Sequence, residues 1–180
     1  SGEPGNQNFL TPEFWQPMVE AVHGTIVECN TAYPGERNTT DAHRRTMIKH
    51  GWSKLFDVDI LDAEGPDLEL PIPNGKRIQK NLVGKDIKNY DSMLVLSHFK
   101  GHPMGGFGGA LKQLSIGCAS SAGKANIHGA GKPEEMWTTE QNAFLESMAD
   151  AAESVVKLFD GKIVYINVMK NMSVDCDCCA

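Results

Sequence analysis

A short apolar strand that runs directly into a glycine-rich polar segment is the feature that most constrains this chain. The run Met93-Leu94-Val95-Leu96 predicts a buried strand, and residues 97–112 follow it without a break. That segment contains two histidines, two lysines and five glycines. Open α/β sheets bind their ligands beyond the carboxyl ends of the strands. The pattern therefore predicts a ligand site built on this segment.

Predicted strands alternate with predicted helices along most of the chain, which is typical of an α/β fold. We expect a three-layer architecture with a mostly parallel sheet flanked by helices, and one small antiparallel insertion over residues 58–83. No linker-like segment interrupts residues 1–180, so we expect a single domain. Helices are predicted over residues 12–23, 40–50, 109–117 and 138–159, and strands over residues 25–29, 58–61, 68–72, 93–97 and 162–168.

Charge balance and the lack of long apolar runs argue against several classes of protein. A net charge of −6, with 17 Lys and Arg spread along the chain, leaves no broad positive surface for nucleic acid. No run approaches the roughly 18 apolar residues of a membrane span, and the first residues do not resemble a signal peptide. Five unevenly placed cysteines favour a reducing, cytoplasmic compartment. We also expect the 180 residues to be a fragment, truncated at the C-terminus.

Four of the five positions 105–109 are glycine, so this stretch has little side-chain bulk. Its exposed backbone N–H groups suit a phosphate or a flat cofactor, on which the intervening Phe107 can stack. Tight turns and close helix–strand packing produce the same composition. We favour ligand binding. The candidate cofactor-binding residues are Lys100, Gly105, Gly106, Phe107, Gly108, Gly109 and Lys112.

Three of the six histidines lie within residues 98–128, among several lysines. A neutral imidazole serves as a base near neutral pH and as a metal ligand, and a desolvated lysine can act as a nucleophile or hold an anion. These patterns make His102, Lys112 and His128 candidates for catalysis, anion binding or metal binding. His98 is a further catalytic candidate.

The alternative for any one histidine is a surface or hydrogen-bonded position without chemistry. This interpretation fits His23, His43 and His50, which lie in or near predicted helices without obvious partners. For the clustered three we favour a shared site. The whole prediction then depends on these side chains meeting in space.

The cysteines are concentrated at the end of the chain, where Cys176, Cys178 and Cys179 follow one another closely. Their spacing matches neither the paired cysteines of zinc sites nor the repeated spacing of ferredoxins. One or two of them can ligate iron or zinc, together with Cys118 or with a ligand outside these residues. The alternative is that they are simple buried thiols. Cys29 is expected to be a packing residue.

Several runs together resemble the bacterial and archaeal family known as domain of unknown function 362. The runs are Glu3-Pro4-Gly5-Asn6, Glu28-Cys29-Asn30-Thr31-Ala32-Tyr33, His98-Phe99-Lys100-Gly101-His102, the glycine-rich stretch and Cys176-Asp177-Cys178-Cys179. Members of that family often carry a ferredoxin-type iron–sulfur module. The resemblance therefore implies redox metabolism, with an iron–sulfur cluster held partly outside these 180 residues.

A more distant resemblance connects residues 101–128 to the nickel-dependent lactate racemases. It rests on Gly101-His102, Gly106-Phe107-Gly108-Gly109, Lys112, Gly117-Cys118-Ala119 and Ile127-His128. The corresponding family roles imply that His102 is an acid–base catalyst, that Lys112 carries a nickel nucleotide covalently, and that His128 ligates the nickel. The serine and arginine of the racemase segment are absent, since Gly108 and Leu111 occupy their positions.

Two functions follow from these patterns. The first is a metalloenzyme that performs acid–base or redox chemistry on a small carboxylate or carbonyl compound, with nickel or another transition metal at His128. The second is an iron–sulfur electron-transfer or binding module without catalysis in this domain. The expected partners are a small-molecule substrate or a ferredoxin-type module, and neither nucleic acid nor a membrane.

Overall fold

The computed structural model describes residues 2–5 and 8–172, and its mixture of helices and strands confirms the predicted α/β class. The helices are α1 (Pro12–Ala21), α2 (Thr40–Lys49), α3 (Trp52–Leu55), α4 (Ala110–Lys112), α5 (Ser121–His128) and α6 (Gln141–Leu158). The strands are β1 (Ile26–Glu28), β2 (Val58–Ile60), β3 (Leu68–Pro71), β4 (Lys80–Val83), β5 (Met93–His98), β6 (Lys100–His102), β7 (Gly106–Gly108) and β8 (Ile163–Val168). Among the described residues, no helix combines the length and apolar character needed to cross a bilayer.

Local capping groups define the ends of the two helices that the sequence predicts most clearly. The Thr11 hydroxyl accepts a hydrogen bond from the Phe14 N–H at 3.4 Å, and α1 begins at the proline that follows Thr11. At the start of α6 the Glu140 carboxylate accepts the N–H groups of Asn142 and Ala143, each at 3.0 Å. Both helices lie within a few residues of their predicted bounds, because these caps are encoded locally.

The hydrogen-bonded strands of the described residues form four pairs. β1 and β2 are parallel, as are β5 and β8, whereas β3 with β4 and β6 with β7 are antiparallel. The antiparallel insertion predicted over residues 58–83 is present as a hairpin of β3 and β4. The prediction that residues 58–61 belong to this insertion is wrong, because β2 pairs with β1. The connection through α2 and α3 is long enough for the crossover that a parallel pair requires.

Two further differences concern the stretch after the glycine-rich segment. The helix predicted over residues 109–117 is a single turn, α4, followed by a π-helical turn over Gln113–Gly117. Helix α5 is absent from the sequence prediction. Its first turn is held partly from outside, since the Asp62 carboxylate accepts the Ser121 N–H at 2.9 Å, while Ser120 caps the Gly123 N–H at 3.1 Å.

Three groups of buried apolar residues build the core. One group joins α1, α2 and α3 to one face of the parallel pairs, through Ile26, Val58, Leu96 and Ile166. A second group joins α6 to Val27, Met93, Val95 and Ile163 on the same strands. The third group surrounds the first half of α6 and includes residues of α5, the π-helical turn and the β3–β4 hairpin.

The loop that joins β3 to β4 is anchored to α6 by one buried carboxylate. Asp150 accepts the backbone N–H groups of Lys76, Arg77 and Ile78 at 3.0, 2.7 and 3.1 Å. Only 8% of Asp150 is exposed, so water does not readily replace these bonds. The side chains of Lys76 and Arg77 form ion pairs with Glu146 on the protein surface. Residues 76–78 therefore hold the hairpin loop against α6.

We expect Asp150→Ala to lower the free energy of unfolding by roughly 2–4 kcal/mol, because three backbone N–H groups lose a buried, charged acceptor. Urea unfolding measures the change. Glu146→Ala is the matched control, since it removes the exposed ion pairs of the same loop and should cost much less. Equal losses in the two variants would show that the buried carboxylate does not anchor the loop.

Candidate functional site

The glycine-rich segment folds into a tight hairpin. β6 and β7 pair with Lys100 opposite Gly108 and His102 opposite Gly106, and residues 103–105 form the turn. Gly106 has a φ of +73°, a left-handed conformation that favours glycine. A Cβ on Gly109 would lie 3.1 Å from the Asn167 Oδ1 atom. Backbone conformation and close packing therefore account for two of the glycines in this segment.

His102 emerges from the end of β6 and is held by its own hairpin. The Gly105 N–H donates to His102 Nδ1 at 2.9 Å, and the imidazole stacks on Phe144 of α6 with ring centroids 6.3 Å apart. Burial lowers the pKa of His102 to about 4, helped by the positive charges of Lys112, His128 and Lys100. At neutral pH the ring is uncharged. Because Nδ1 is an acceptor, the proton lies on Nε2.

His128 is the last residue of α5, and its imidazole also stacks on the Phe144 ring. Its centroid lies 4.9 Å from that of Phe144, with the ring planes 23° apart. Burial lowers the pKa of His128, and Lys112 contributes to that decrease. Its Nδ1 atom lies 2.7 Å from the Lys124 carbonyl oxygen, so Nδ1 carries the proton of the neutral ring. The lone pair of His128 is therefore on Nε2.

Two lysines bring positive charge to these neutral imidazoles. A Cβ on Gly108 would lie 3.5 Å from Lys112 Cδ and 4.0 Å from Lys100 Cγ, so both side chains pass beside the glycine hairpin. Both ammonium groups help to lower the pKa of His102. The structure thus brings His102, Lys112 and His128 together, with Lys100 near them. Such a cluster combines proton transfer with attraction of an anion.

Two other predicted residues occupy different surroundings. His98 lies at the end of β5, where its Nε2 atom is 2.6 Å from the Lys170 carbonyl oxygen, and it lines a cavity between β1 and β5. Phe107 stacks on Phe99 with centroids 5.2 Å apart and is 55% exposed. Neither belongs to the stack on Phe144. One face of Phe107 is already occupied by a side chain of the protein.

The cysteines do not extend this site within the described residues. Cys176, Cys178 and Cys179 lie outside them, so their predicted metal binding stays a prediction. Cys118 and Cys29 are buried free thiols, and burial raises the pKa of Cys118 to about 12. The described residues contain no group of three or more His, Cys, Asp or Glu able to hold a metal ion. The described residues therefore do not form a metal site by themselves.

Phe144 is the residue of this site that sequence reasoning missed. It is fully buried, and both imidazoles stack on it. In the sequence it is one of several apolar residues of a predicted helix, and no local signal connects it to histidines 16 and 42 positions earlier.

His43 was expected to be a surface or hydrogen-bonded residue. It is fully buried beside Asn30, with Nδ1 3.3 Å from Oδ1, and burial lowers its pKa to about 4.

We expect His102 to titrate near pH 4, well below the usual 6.5, in a histidine-detected NMR titration. At pH 7 the spectrum should show the Nε2–H tautomer for His102 and the Nδ1–H tautomer for His128. Lys112→Met should raise the pKa of His102, because it removes a nearby positive charge. Lys157→Met is the control, since that lysine pairs with Glu153 elsewhere on α6. Identical tautomers for the two rings would contradict the geometry.

No curated protein and no solved structure matches the chain. The family model described as "Domain of unknown function (DUF362)" matches residues 1–180, which is the whole chain. The first resemblance noted in the sequence is thereby confirmed at the level of the family, and the chain belongs to the DUF362 family.

Proposed function

We propose that His102, His128 and Lys112 form the acid–base site of an enzyme that acts on a small carboxylate or carbonyl compound. The observation that carries this proposal is the pair of neutral imidazoles on one buried ring, with opposite tautomers. One ring offers an Nε2 lone pair and the other an Nε2–H. A proton acceptor and a hydrogen-bond donor are what proton abstraction next to a carbonyl requires.

The proposed step is the removal and return of a proton at the carbon next to a carbonyl or carboxylate group. The Nε2 lone pair of His128 takes this proton, and the ring becomes an imidazolium. The C–H electron pair moves toward the substrate oxygen, which accepts a hydrogen bond from the Nε2–H of His102. The imidazolium then returns the proton to the same carbon. No oxidant or reductant is consumed, and all atoms are conserved.

The electrostatics of the cluster suit an anionic substrate. The ammonium groups of Lys112 and Lys100 attract a carboxylate. Lys112 opposes protonation of both imidazoles, whereas Lys100 opposes protonation of His102. At pH 7 both rings are therefore ready in their neutral forms. Binding of the carboxylate offsets the positive charge and makes the imidazolium of His128 easier to form. The lysines thus bind the substrate, and the bound substrate in turn raises the pKa of His128.

The metal and redox parts of the sequence interpretation remain separate proposals. The resemblance to nickel-dependent lactate racemases supports the location of the site, and it assigns a nickel ligand role to His128 and a covalent cofactor to Lys112. An iron–sulfur cluster would depend on Cys176, Cys178 and Cys179. The acid–base step needs neither group. A cytoplasmic location is likewise a proposal, supported by the five cysteines and their placement.

We also propose the finer architecture, in which both parallel pairs belong to one mostly parallel sheet between two helical layers. The core packing supports this arrangement. Ile26 of β1 and Leu96 of β5 contact the same helical group, while Val27 and Val95 face the opposite group. Since alternate residues of a strand point to opposite faces, the two pairs share both of their faces.

The reaction is tested by hydrogen exchange in D₂O, followed by proton NMR, at C3 of small 2-keto carboxylates and at C2 of small 2-hydroxy carboxylates. Wild-type protein should accelerate exchange for at least one compound. His128→Gln should reduce the exchange rate by about 10²–10⁴-fold through loss of the base. His102→Gln should also reduce it, and Lys112→Met should act mainly by raising KM.

His50→Gln is the matched control, because His50 stacks on Phe9 at the end of α2, away from the cluster. It should exchange substrate at the wild-type rate. Circular dichroism of each variant separates loss of chemistry from loss of folding. The proposal fails if no compound of the panel exchanges, or if exchange persists in both His102→Gln and His128→Gln.

A further inference from the structure

Within the described residues, β1 and β5 each use only one edge for strand pairing. β1 pairs with β2 and β5 with β8, and no ladder joins β1 to β5. The two unused edges border a cavity of about 240 Å³, which residues 25–28 and 93–96 line consecutively. A strand face would contribute only alternate residues, so the cavity meets the strand edges. We call this space the β1/β5 slot.

The hydrogen bonds of the first pair show which backbone groups of β1 point into the slot. The Ile26 N–H donates to the Asp57 carbonyl, and the Leu61 N–H donates to the Glu28 carbonyl, each at 2.9 Å. Residues 26 and 28 therefore direct their backbone groups toward β2. Val27, between them, directs its N–H and carbonyl to the opposite side, because these groups alternate along a strand.

The same reasoning applies to β5. The Met93 N–H donates to the Lys162 carbonyl at 3.0 Å, and the Phe99 N–H donates to the Val168 carbonyl at 2.9 Å. Odd-numbered residues of β5 therefore face β8, whereas Leu94 and Leu96 direct their backbone groups into the slot. Two half-buried strands thus present donors and acceptors to one common space. Backbone groups in such surroundings are normally paired.

Both flanks of the slot are apolar. On one side its lining includes Leu10, Trp15 and Trp52, which belong to the core group around α1 and α3. On the other side it includes Leu61 and Cys118, which belong to the group around α6. An occupant therefore contacts apolar side chains above and below it, while its backbone faces strand edges on both sides.

An unpartnered donor adds a second, independent observation. The indole Nε1–H of Trp52 is buried and has no hydrogen-bond acceptor, although Trp52 lines the slot. A buried donor without an acceptor is destabilising. A polypeptide backbone brings carbonyl groups as well as N–H groups. An inserted strand directs its carbonyl groups toward β1 and β5, so a carbonyl just beyond the end of its ladders is the acceptor available to this indole.

We propose that the β1/β5 slot binds an additional strand, which inserts between β1 and β5. Its occupant is an extended apolar segment joined to the chain ahead of Gly2. Gly2 itself lines the cavity. Glu3 next to it binds Arg37 in the loop after β1, with a 2.9 Å ion pair, so this segment lies beyond the carboxyl end of β1. A strand that runs parallel to β1 and β5 ends at that edge and continues directly into Gly2.

The inference rests on the proposed single sheet and not on the acid–base chemistry. The inserted strand would join the two parallel pairs into one sheet, with the order β2, β1, inserted strand, β5, β8. Because both faces of the sheet contact apolar groups, its residues are apolar at consecutive positions. This is strand addition between two edges, which recognises backbone groups on both sides of the occupant.

The test fuses a short segment, Thr-Val-Val-Ile-Val, ahead of Ser1 of the full chain. Hydrogen–deuterium exchange then follows the amides of Val27, Leu94 and Leu96. We expect their exchange to slow by on the order of tenfold or more relative to the unfused chain, with a higher urea midpoint. A matched fusion, Thr-Pro-Val-Pro-Val, keeps the apolar character but removes two N–H donors. It should give little protection.

Three outcomes would overturn the proposal. Equal exchange in the two fusions would show that β pairing does not occur. Protection that depends on protein concentration would assign the slot to a second copy. Equal protection by the unattached Thr-Val-Val-Ile-Val peptide would assign it to a separate polypeptide. Exchange of α-protons from carboxylates reports on the acid–base site separately, so failure of either proposal can be recognised.

Discussion

The buried stripe of α6 is the element on which the rest of the structure depends. Phe144, Met148, Ala151 and Val155 follow helical spacing and are almost completely buried. Through them one helix contacts the β3–β4 hairpin, the π-helical turn, α5 and the parallel strands. The same helix carries Asp150, whose carboxylate fixes the loop of that hairpin. Segments that are distant from one another in the sequence therefore all pack against α6.

The candidate site is a consequence of this packing. His102 arrives from a hairpin and His128 from a helix end, and both rings stack on Phe144 because that ring closes the core beneath them. Their tautomers are set locally, by the Gly105 N–H and by the Lys124 carbonyl. Burial keeps the rings neutral, and nearby lysines reinforce the effect. Local hydrogen bonds thus determine the tautomers of the two histidines, while tertiary packing determines that both rings lie on Phe144.

The parts of the fold that the sequence predicted are those with local causes. Helix α1 follows from a threonine cap and a proline, and the first strand of the β3–β4 hairpin follows from the strand pattern of residues 68–72 and the turn residues after it. The errors have non-local causes. β2 was assigned to the hairpin insertion because nothing in its sequence identifies β1 as its partner. Helix α5 was also missed: Ser120 is a local cap for it, but Asp62, far away in the chain, completes the hydrogen bonding of its first turn.

The sequence by itself identified the candidate site residues, namely His102, Lys112 and His128 beside a glycine-rich turn, and it identified the family. Only the tertiary structure decided which of them meet. His98 is four residues from His102 and yet faces different surroundings, because β5 continues along β8 whereas β6 turns into its own hairpin. His128 is 26 residues away and shares the Phe144 ring. Distances along a chain reflect covalent order, whereas proximity in a site reflects the burial of apolar surface, which selects partners without regard to that order.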